Sequence, residues 1–484
     1  MKLKSLAYLL LIVGSACSKP NAEPARPSTE KAAGYPAYAW VTNLAGPATS
    51  EDSSSSLSFN VPVPVLSKEE LELHLDGDID FNRQFNGEQG LGPAFNASSC
   101  VACHARDGRG ALPVLNAEDR SVRFGPNESL LLRISLETEN GPIVVPGFSE
   151  QVHQRGIYSL RQDMPGIGQT DIEMHFEYST FTYPDGSSVE LRKPIFQFVG
   201  AYDEMADGDS ILKDPRIRVS PRIGPPIIGL GLLDAIDDKQ LIQMADPDDR
   251  NGDGIRGKVN FIDGRVGRHG WKANNPDVRT QVAAALNHDM GLTNSLFPFE
   301  NILNTPLFTN WTARLSIDPS KFAPEITDAQ LDRLSFYTST LAVPKRRKVL
   351  DLDVMQGARQ FEVVGCTGCH TPMLKTGTSG TIEHFKNQTI YPFSDGLLHD
   401  MGEELADHRQ DHEAGGREWR TRPLWGIGLT QTINPRAGFL HDGRARTLEE
   451  AILYHGGEAA AARQKFSNLP KSARQELISF LRSL

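Results

Sequence analysis

Apolar residues recur with helical spacing in two segments of the C-terminal half, residues 327–341 and 470–484. Residues three, four and seven positions apart lie on one face of a helix, so both segments are predicted to be amphipathic helices. The positions that define the two faces are Leu331, Leu334 and Leu341 in the first segment, and Leu477, Leu481 and Leu484 in the second.

A different pattern occupies residues 176–198. Two stretches rich in Phe, Tyr, Thr and Val, residues 176–183 and 189–198, flank the turn Pro184-Asp185-Gly186. β-Branched and aromatic runs on either side of a Pro/Gly turn are typical of a β-hairpin.

The N-terminus resembles a bacterial lipoprotein signal. Lys2 and Lys4 precede an apolar run, residues 6–13, which is too short to span a bilayer but suits a secretory signal. Gly14-Ser-Ala-Cys17 follows, and the resemblance implies that residues 1–17 are the signal and that Cys17 is lipidated. In the alternative, an ordinary signal is cleaved near Ala16. Both interpretations place the mature protein outside the cytoplasm, in the periplasm or at the cell surface. The lipoprotein interpretation adds that the protein is attached to the membrane only through its lipidated N-terminus. The Pro/Ser-rich residues 18–60 are predicted to form a flexible tether.

Composition narrows the range of partners. The chain has 484 residues, 39% hydrophobic and 23% charged, so it can bury large cores. Its formal net charge of −11 argues against nucleic acid, which needs a cationic surface. The 43 glycines and 31 prolines indicate a loop-rich chain rather than a plain helical bundle.

Four of the five cysteines form two motifs, Cys100-Val-Ala-Cys103-His104 and Cys366-Thr-Gly-Cys369-His370. C-x-x-C-H attaches c-type haem, because the two thiols bind the porphyrin edge while the next histidine ligates the iron. The alternatives are two short disulfides or one zinc site built from all four cysteines, but zinc does not need a histidine after each second cysteine. Two covalently bound haem c groups are therefore predicted.

The chain is internally duplicated. The order G-x-x-x-F, C-x-x-C-H, P-x-x-G-x-G-L occurs twice, beginning at Gly77 and at Gly357. The pattern predicts a mainly α fold with two cytochrome c-like haem domains, residues 61–345 and 346–484, the first enlarged by insertions that include the hairpin.

A sixth ligand decides whether a haem carries electrons or does chemistry. For the second haem the candidate is His455. Thr447-Leu-Glu-Glu450 is a capping box, so a helix should begin near Leu448 and place Leu448, Ile452 and His455 on one face. His399 and His441 are rival ligands, and a solvated histidine at the helix end is the remaining alternative.

Several further segments resemble the bacterial dihaem oxidoreductase family, related to the dihaem cytochrome c peroxidases and the methylamine dehydrogenase maturation enzyme. They are Gly90-Leu-Gly-Pro-Ala-Phe-Asn96, Gly229-Leu-Gly-Leu-Leu233, Gly270-Trp-Lys-Ala273, Trp419-Arg-Thr-Arg-Pro-Leu-Trp-Gly426 and the run from Leu440 to Gly457. The resemblance covers about residues 70–484. It places His455 at the distal ligand of the electron-transfer haem, and a histidine there implies bis-His ligation.

For the first haem the resemblance implies a distal pocket rather than a sixth ligand. Trp271 matches a tryptophan between the two haems, and Gln281 matches a distal glutamine. Asp289 matches a catalytic glutamate, although it is shorter and stands two residues early. The alternatives are a core role for Trp271, a surface role for Gln281 and a turn role for Asp289. We interpret the other histidines of this domain as ordinary surface or core residues: His153, His175, His269 and His288.

The run Asp249-Arg-Asn251-Gly-Asp253-Gly-Ile255 resembles a calcium loop. Asp249, Asn251 and Asp253 would take positions 1, 3 and 5, and the carbonyl of Ile255 position 7. Position 12 is Asn260, so the bidentate glutamate is missing, and a solvated turn is the alternative.

Three functions follow from these features. The first is a dihaem peroxidase: His104 holds the haem that meets peroxide, while the haem held by His370 and His455 receives electrons from a small redox donor protein. The second is a non-catalytic dihaem electron carrier. The third is a ferryl-type oxidant of another substrate.

Overall fold

The structure is a computed structural model, and it describes residues 34–484 except 117–120, 125–128, 158–167, 201–210, 304, 306–307, 310–311, 314–317, 319–322 and 379. The helices in this part are α1 Lys68–Asn82, α2 Cys100–Cys103, α3 Leu230–Asp234, α4 Asp238–Met244, α5 Val278–Met290, α6 Asp328–Ser339, α7 Leu352–Val364, α8 Thr430–Ile433, α9 Leu448–Leu453, α10 Ala460–Ser467 and α11 Lys471–Ser483. No helix in the described ranges has both the length and the apolar character of a membrane span.

Short strands lie between these helices. They are β1 Thr49–Ser50, β2 Ala94–Phe95, β3 Ser121–Arg123, β4 Leu130–Thr138, β5 Gly141–Ile143, β6 Arg155–Gly156, β7 Asp171–Thr182, β8 Ser188–Val199, β9 Ile217–Ile223, β10 Phe261–Ile262, β11 Arg265–Val266, β12 Val343–Pro344, β13 Leu374–Lys375, β14 Thr389–Ile390, β15 Leu398–Asp400 and β16 Glu418–Arg420. Two three-stranded sheets, in the orders β3-β7-β8 and β5-β4-β9, are accompanied by two-stranded ribbons such as β15-β16.

The mainly α fold with cytochrome c-like domains is a wrong prediction. The chain is 33% helix and 20% strand, with several small sheets, and is therefore mixed α/β. Many of the strands are only two or three residues long. A strand that short carries no readable alternation of apolar and polar residues, so it leaves no periodic signal in the sequence.

The longer predicted elements are confirmed. Helix α6 begins after Thr327, whose side chain forms a capping box with Gln330, and α11 covers the second amphipathic segment. Strands β7 and β8 pair antiparallel from Asp171↔Val199 to Thr182↔Ser188, which is the predicted hairpin.

Each C-x-x-C-H motif follows a helix that crosses a second helix closely. Gly77 of α1 lies against α6, where an added Cβ would come within 2.6 Å of the Arg333 carbonyl oxygen. Gly357 of α7 lies in the same way against α11, where a Cβ would come within 1.9 Å of the Glu476 carbonyl oxygen. The two glycines of the repeated pattern thus allow equivalent helix crossings next to each motif.

The packed body begins before the predicted boundary at residue 61. Ala39, Leu44 and Phe59 are almost completely buried, although they belong to the predicted tether. β1 pairs in parallel with β12, which ties residues 49–50 to residues 343–344. Residues 35–484 form one compact unit, and the division at residue 345 stays a prediction. Residues 1–17, including Cys17, and residues 18–33 lie outside the described part.

Candidate functional site

The first motif forms a single helical turn, α2, whose end presents His104. The Nδ1 atom of His104 lies 2.7 Å from the Pro225 carbonyl oxygen, which can only accept, so Nδ1 donates and Nε2 stays free as a ligand. The ring of Phe81, from the repeated G-x-x-x-F pattern, lies 6.4 Å from the imidazole. Burial raises the pKa of the Cys100 thiol to about 12.

The second motif repeats this arrangement. His370 Nδ1 donates to the Phe393 carbonyl oxygen at 2.9 Å, and the Phe361 ring lies 6.2 Å from the imidazole. No disulfide joins the four motif cysteines in the described residues, and no group of three or more His, Cys, Asp or Glu side chains there is placed to hold a metal ion. Paired thiols with an oriented imidazole fit covalent haem attachment.

His455 lies close enough to His370 for the two rings to interact electrostatically. Its Nδ1 donates to the Ala451 carbonyl oxygen at 2.7 Å, which again leaves Nε2 free. The capping box at the start of its helix is only half formed: Thr447 Oγ1 accepts from the Glu450 amide, but the Glu450 carboxylate accepts from the Arg446 amide instead. The helix ends at Leu453, and His455 follows two residues later, after Tyr454.

The two rival ligands, His399 and His441, contact other side chains. His399 Nε2 lies 2.9 Å from Asp395 Oδ2, and its Nδ1 lies 2.7 Å from Glu458 Oε2, so both ring nitrogens contact carboxylates. Hydrogen bonds to these carboxylates raise the pKa of His399 against the opposing effect of burial. His441 stacks on Trp419 with ring centroids 3.8 Å apart and planes inclined by 9°. Both rings thus have partners in the folded chain, and His455 stays the predicted ligand of the second haem.

A cavity of about 650 Å³ adjoins the first motif. Its size lies within the usual range for small-molecule and cofactor pockets. The structure brings the three predicted pocket residues, Trp271, Gln281 and Asp289, to the wall of this one cavity together with His104. The sequence separates these residues by up to 185 positions, so the fold, not local spacing, assembles the pocket.

Asp289 has the electrostatics of a proton-transfer group. Burial raises its pKa to about 6, although a hydrogen bond from Gln151 and the positive charge of Arg133 oppose that shift. Gln151 Nε2 donates to Asp289 Oδ1 at 3.0 Å and so orients the carboxyl group. The carboxyl can therefore take up and release a proton near neutral pH.

The other histidines of the first half occupy different positions. His288 lines the cavity, and burial lowers its pKa to about 3. His153 is buried and contacts Gln169 and the His288 carbonyl oxygen, while His269 contacts Asp234 and also lines the cavity. His175 lies in β7, within the hairpin.

Three buried arginines were not singled out by sequence reasoning. Arg109, Arg420 and Arg422 donate to backbone carbonyl groups, and none forms an ion pair with a carboxylate within the described residues. Burial lowers the pKa of Arg109 and of Arg420 to about 10. Arg109 Nε and Arg420 Nη2 are buried donors without a partner in the described part. Buried, unneutralised cations are costly, and the propionate groups of haem would neutralise them. No feature of the sequence marks these three arginines as buried without a carboxylate.

Aromatic and imidazole side chains are spaced between the two motifs. Trp271 is T-shaped to His441 at 6.5 Å, and His441 stacks on Trp419. Trp419 pairs directly with His399 across β15-β16, so both side chains lie on one face of the ribbon. His399 Nδ1 in turn lies 3.6 Å from Cys369 Sγ. The series thus runs from the wall of the first cavity to the second motif.

The predicted calcium loop satisfies its side chains internally. Asn251 and Asp253 accept from the backbone amides of Asp253 and Ile255, and Asp249 accepts from the Gly254 amide. These hydrogen bonds describe a well-formed turn, which was the alternative. Calcium binding here stays a prediction.

Comparison with known proteins decides the family. A sequence model described as "Di-haem oxidoreductase, putative peroxidase" matches residues 38–484. The chain belongs to this family. Searches of curated proteins and of solved structures found no match. The cofactors of a di-haem oxidoreductase are haem, and the two motifs, the cavity and the buried arginines of this chain fit such groups.

Proposed function

We propose that this di-haem oxidoreductase is an extracytoplasmic c-type peroxidase. Haem is attached at Cys100 and Cys103 and again at Cys366 and Cys369. Peroxide is reduced beside His104, and electrons enter from a small redox donor protein at the site held by His370 and His455. Bound haem supplies the redox chemistry.

The observation that carries this proposal is the difference between the two motif histidines. His104 adjoins a cavity lined by Gln281 and Asp289, whereas His370 lies within electrostatic range of a second imidazole, His455, whose Nδ1 is engaged by a backbone carbonyl. An open pocket suits substrate, and a site with two imidazole ligands suits electron transfer. The asymmetry favours a peroxidase over an electron carrier closed at both sites.

Asp289 supplies the proton transfer that peroxide reduction needs. Its carboxylate accepts the proton from one peroxide oxygen and donates it to the other, which leaves as water when the O–O bond breaks. Two electrons from the redox donor protein and two further protons then reduce the remaining oxygen to a second water. Gln151 holds the carboxyl group in place. Gln281, whose Oε1 accepts from Asn275 Nδ2 at 3.0 Å, presents its amide on the same wall of the cavity.

The experiment that tests the cofactor assignment is pyridine haemochrome quantification of the mature protein. We expect two covalent haems per chain, and one in the double variant Cys366→Ala, Cys369→Ala, because each pair of thiols binds one porphyrin. A count below two in the parent protein would contradict the proposal. The reciprocal double variant Cys100→Ala, Cys103→Ala is the control and should likewise retain one haem.

Trp271 is proposed to relay electrons between the two sites. Its Nε1 donates to the Ile223 carbonyl oxygen at 2.9 Å, which fixes the indole next to His441. In Trp271→Leu we expect slower electron transfer from the second haem to the first, measured by rapid mixing with a reductant, and a smaller loss in Trp271→Phe. Trp40→Phe is the matched control, because Trp40 packs against Tyr35 in the N-terminal segment. An unchanged rate in Trp271→Leu would exclude this route.

The cellular location is part of the proposal. Export and lipidation at Cys17 would hold the enzyme in the periplasm or at the cell surface. Mass spectrometry of the mature N-terminus tests this, since a free serine at position 18 or an unmodified Cys17 would exclude the lipid anchor.

A further inference from the structure

The β7-β8 hairpin lies in the first half of the sequence but contacts helix α9, which ends two residues before His455. Each strand has 12 residues, which corresponds to a length of about 40 Å. The root of the hairpin is held by β3, which pairs with β7 at residues 173–175. The turn of the hairpin reaches the second half of the sequence.

The hairpin contacts helix α9 near both of its ends. The Tyr183 hydroxyl donates to Glu449 Oε1 at 2.8 Å, in the first turn of the helix. At the other end, the Tyr454 hydroxyl donates to the Arg192 carbonyl oxygen at 2.8 Å. Tyr454 is buried and directly precedes His455. The hairpin therefore forms hydrogen bonds at the beginning and at the end of the helix.

The segment before the helix is held as well. Arg192 Nε donates to the Arg444 carbonyl oxygen at 3.0 Å, and Arg446 Nη2 donates to the Glu190 carbonyl oxygen at 2.5 Å. Arg446 also pairs with Glu450 at 2.9 Å, which connects the hairpin to the helix interior.

The turn is fixed to helix α11. The Arg474 guanidinium lies 3.8 Å from the centre of the Tyr183 ring, and its Nη2 contacts Asp185 Oδ2 at 2.8 Å. Arg474 is only 2% exposed, whereas Asp185 lies at the exposed turn, so a buried guanidinium of α11 fixes the turn of the hairpin. The hairpin is thus anchored at both ends, and helix α9 is short enough, at six residues, to depend on such support.

We propose that the hairpin holds His455 in its ligating position, with Tyr183 and Tyr454 as positioning residues. This inference rests on the proposed function, in which His455 binds the second haem. Loss of these hydrogen bonds would increase the fraction of molecules in which His455 is not bound to the iron. An external ligand can bind the second haem in those molecules. Its apparent affinity rises in proportion to that fraction.

The test uses the mature full-length holoprotein and cyanide as the external ligand. In the double variant Tyr183→Phe, Tyr454→Phe we expect cyanide to bind the second haem about tenfold more tightly, because two hydrogen bonds are lost. A high-spin component assigned to the second haem should grow, while cyanide binding at the first haem stays unchanged. Tyr178→Phe is the matched control, because Tyr178 lies in β7 of the same hairpin, undergoes the same chemical change and has an exposed side chain.

Two outcomes separate the inference from the function on which it rests. If His455→Ala opens the second haem but the double variant binds cyanide like the parent, the positioning role is wrong and the ligand assignment stands. If His455→Ala leaves the second haem low-spin, the ligand assignment itself fails. Should the double variant mature without its full haem content, Tyr183→Phe alone must show a smaller increase in affinity, and no increase would overturn the proposal.

Discussion

Replacing Asp289 by Asn is expected to lower peroxide turnover roughly 100- to 10,000-fold, the usual contribution of a positioned acid–base group. Asn keeps the size of the side chain and can still contact Gln151, but it cannot carry the proton between the two peroxide oxygens. Steady-state assays with peroxide and a reduced small cytochrome measure the effect. Asp332→Asn is the matched control, because Asp332 lies on the exposed face of α6 and pairs with Arg279.

The pH profile gives the same prediction a second test. Burial raises the Asp289 pKa to about 6, so the carboxylate that accepts the proton is depleted below that pH. Turnover of the parent enzyme should therefore rise as the pH increases through about 6, and this step should be missing from the Asn variant. If both proteins show the same profile, another group transfers the proton.

The free energy of unfolding should change with pH in the direction opposite to turnover. Because the folded pKa of Asp289 lies above its ordinary value of 3.8, the folded state binds this proton more tightly than the unfolded chain does. This carboxyl group thus makes the fold less stable as the pH rises from about 4 through 6. Asn carries no charge at any of these pH values, so the variant should unfold at neutral pH no more readily than the parent. A loss of turnover with unchanged stability would mark a chemical role.

Local signals predicted local structure well. Thr327 and Gln330 are three residues apart, and their capping box depends on no distant contact, so the start of α6 could be read from the sequence. The hairpin was equally visible, because its strands are long and close to their turn. The contacts of the hairpin with Glu449, Arg444 and Tyr454 were not, since they join residues about 260 positions apart.

The candidate site, like the fold, could be predicted from the sequence only in part. The cysteine motifs and their histidines were identified from spacing alone, because covalent attachment requires residues within one turn. The resemblance, rather than the residues themselves, pointed to Trp271, Gln281 and Asp289. Arg109, Arg420 and Arg422 stayed unnoticed because an arginine in a sequence gives no sign that it will be buried without a carboxylate. The stack of His441 on Trp419 likewise exists only after folding, since 22 residues separate the two rings.

Replacing His455 by Ala is expected to have the largest spectroscopic effect. The parent protein should hold the second haem between His370 and His455, both of which have Nδ1 satisfied by a backbone carbonyl. Without the second imidazole, the oxidised second haem should change from low-spin to high-spin and should bind external ligands. The first haem should keep its spectrum, because its cavity is built from other residues. Visible and electron paramagnetic resonance spectra of the oxidised protein measure both changes.

His455→Met separates ligation from simple removal. A thioether ligand raises the reduction potential of haem relative to a second imidazole, so the second haem should stay low-spin while its potential increases. His384→Ala is the control, because His384 lies near the surface and pairs with Glu70. A low-spin second haem in the Ala variant would mean that His399 or His441 binds the iron instead. His399 would then have to leave Asp395 and Glu458, and His441 would have to leave Trp419. Since each of these moves breaks contacts that the folded chain already makes, we expect the Ala variant to leave the second iron open.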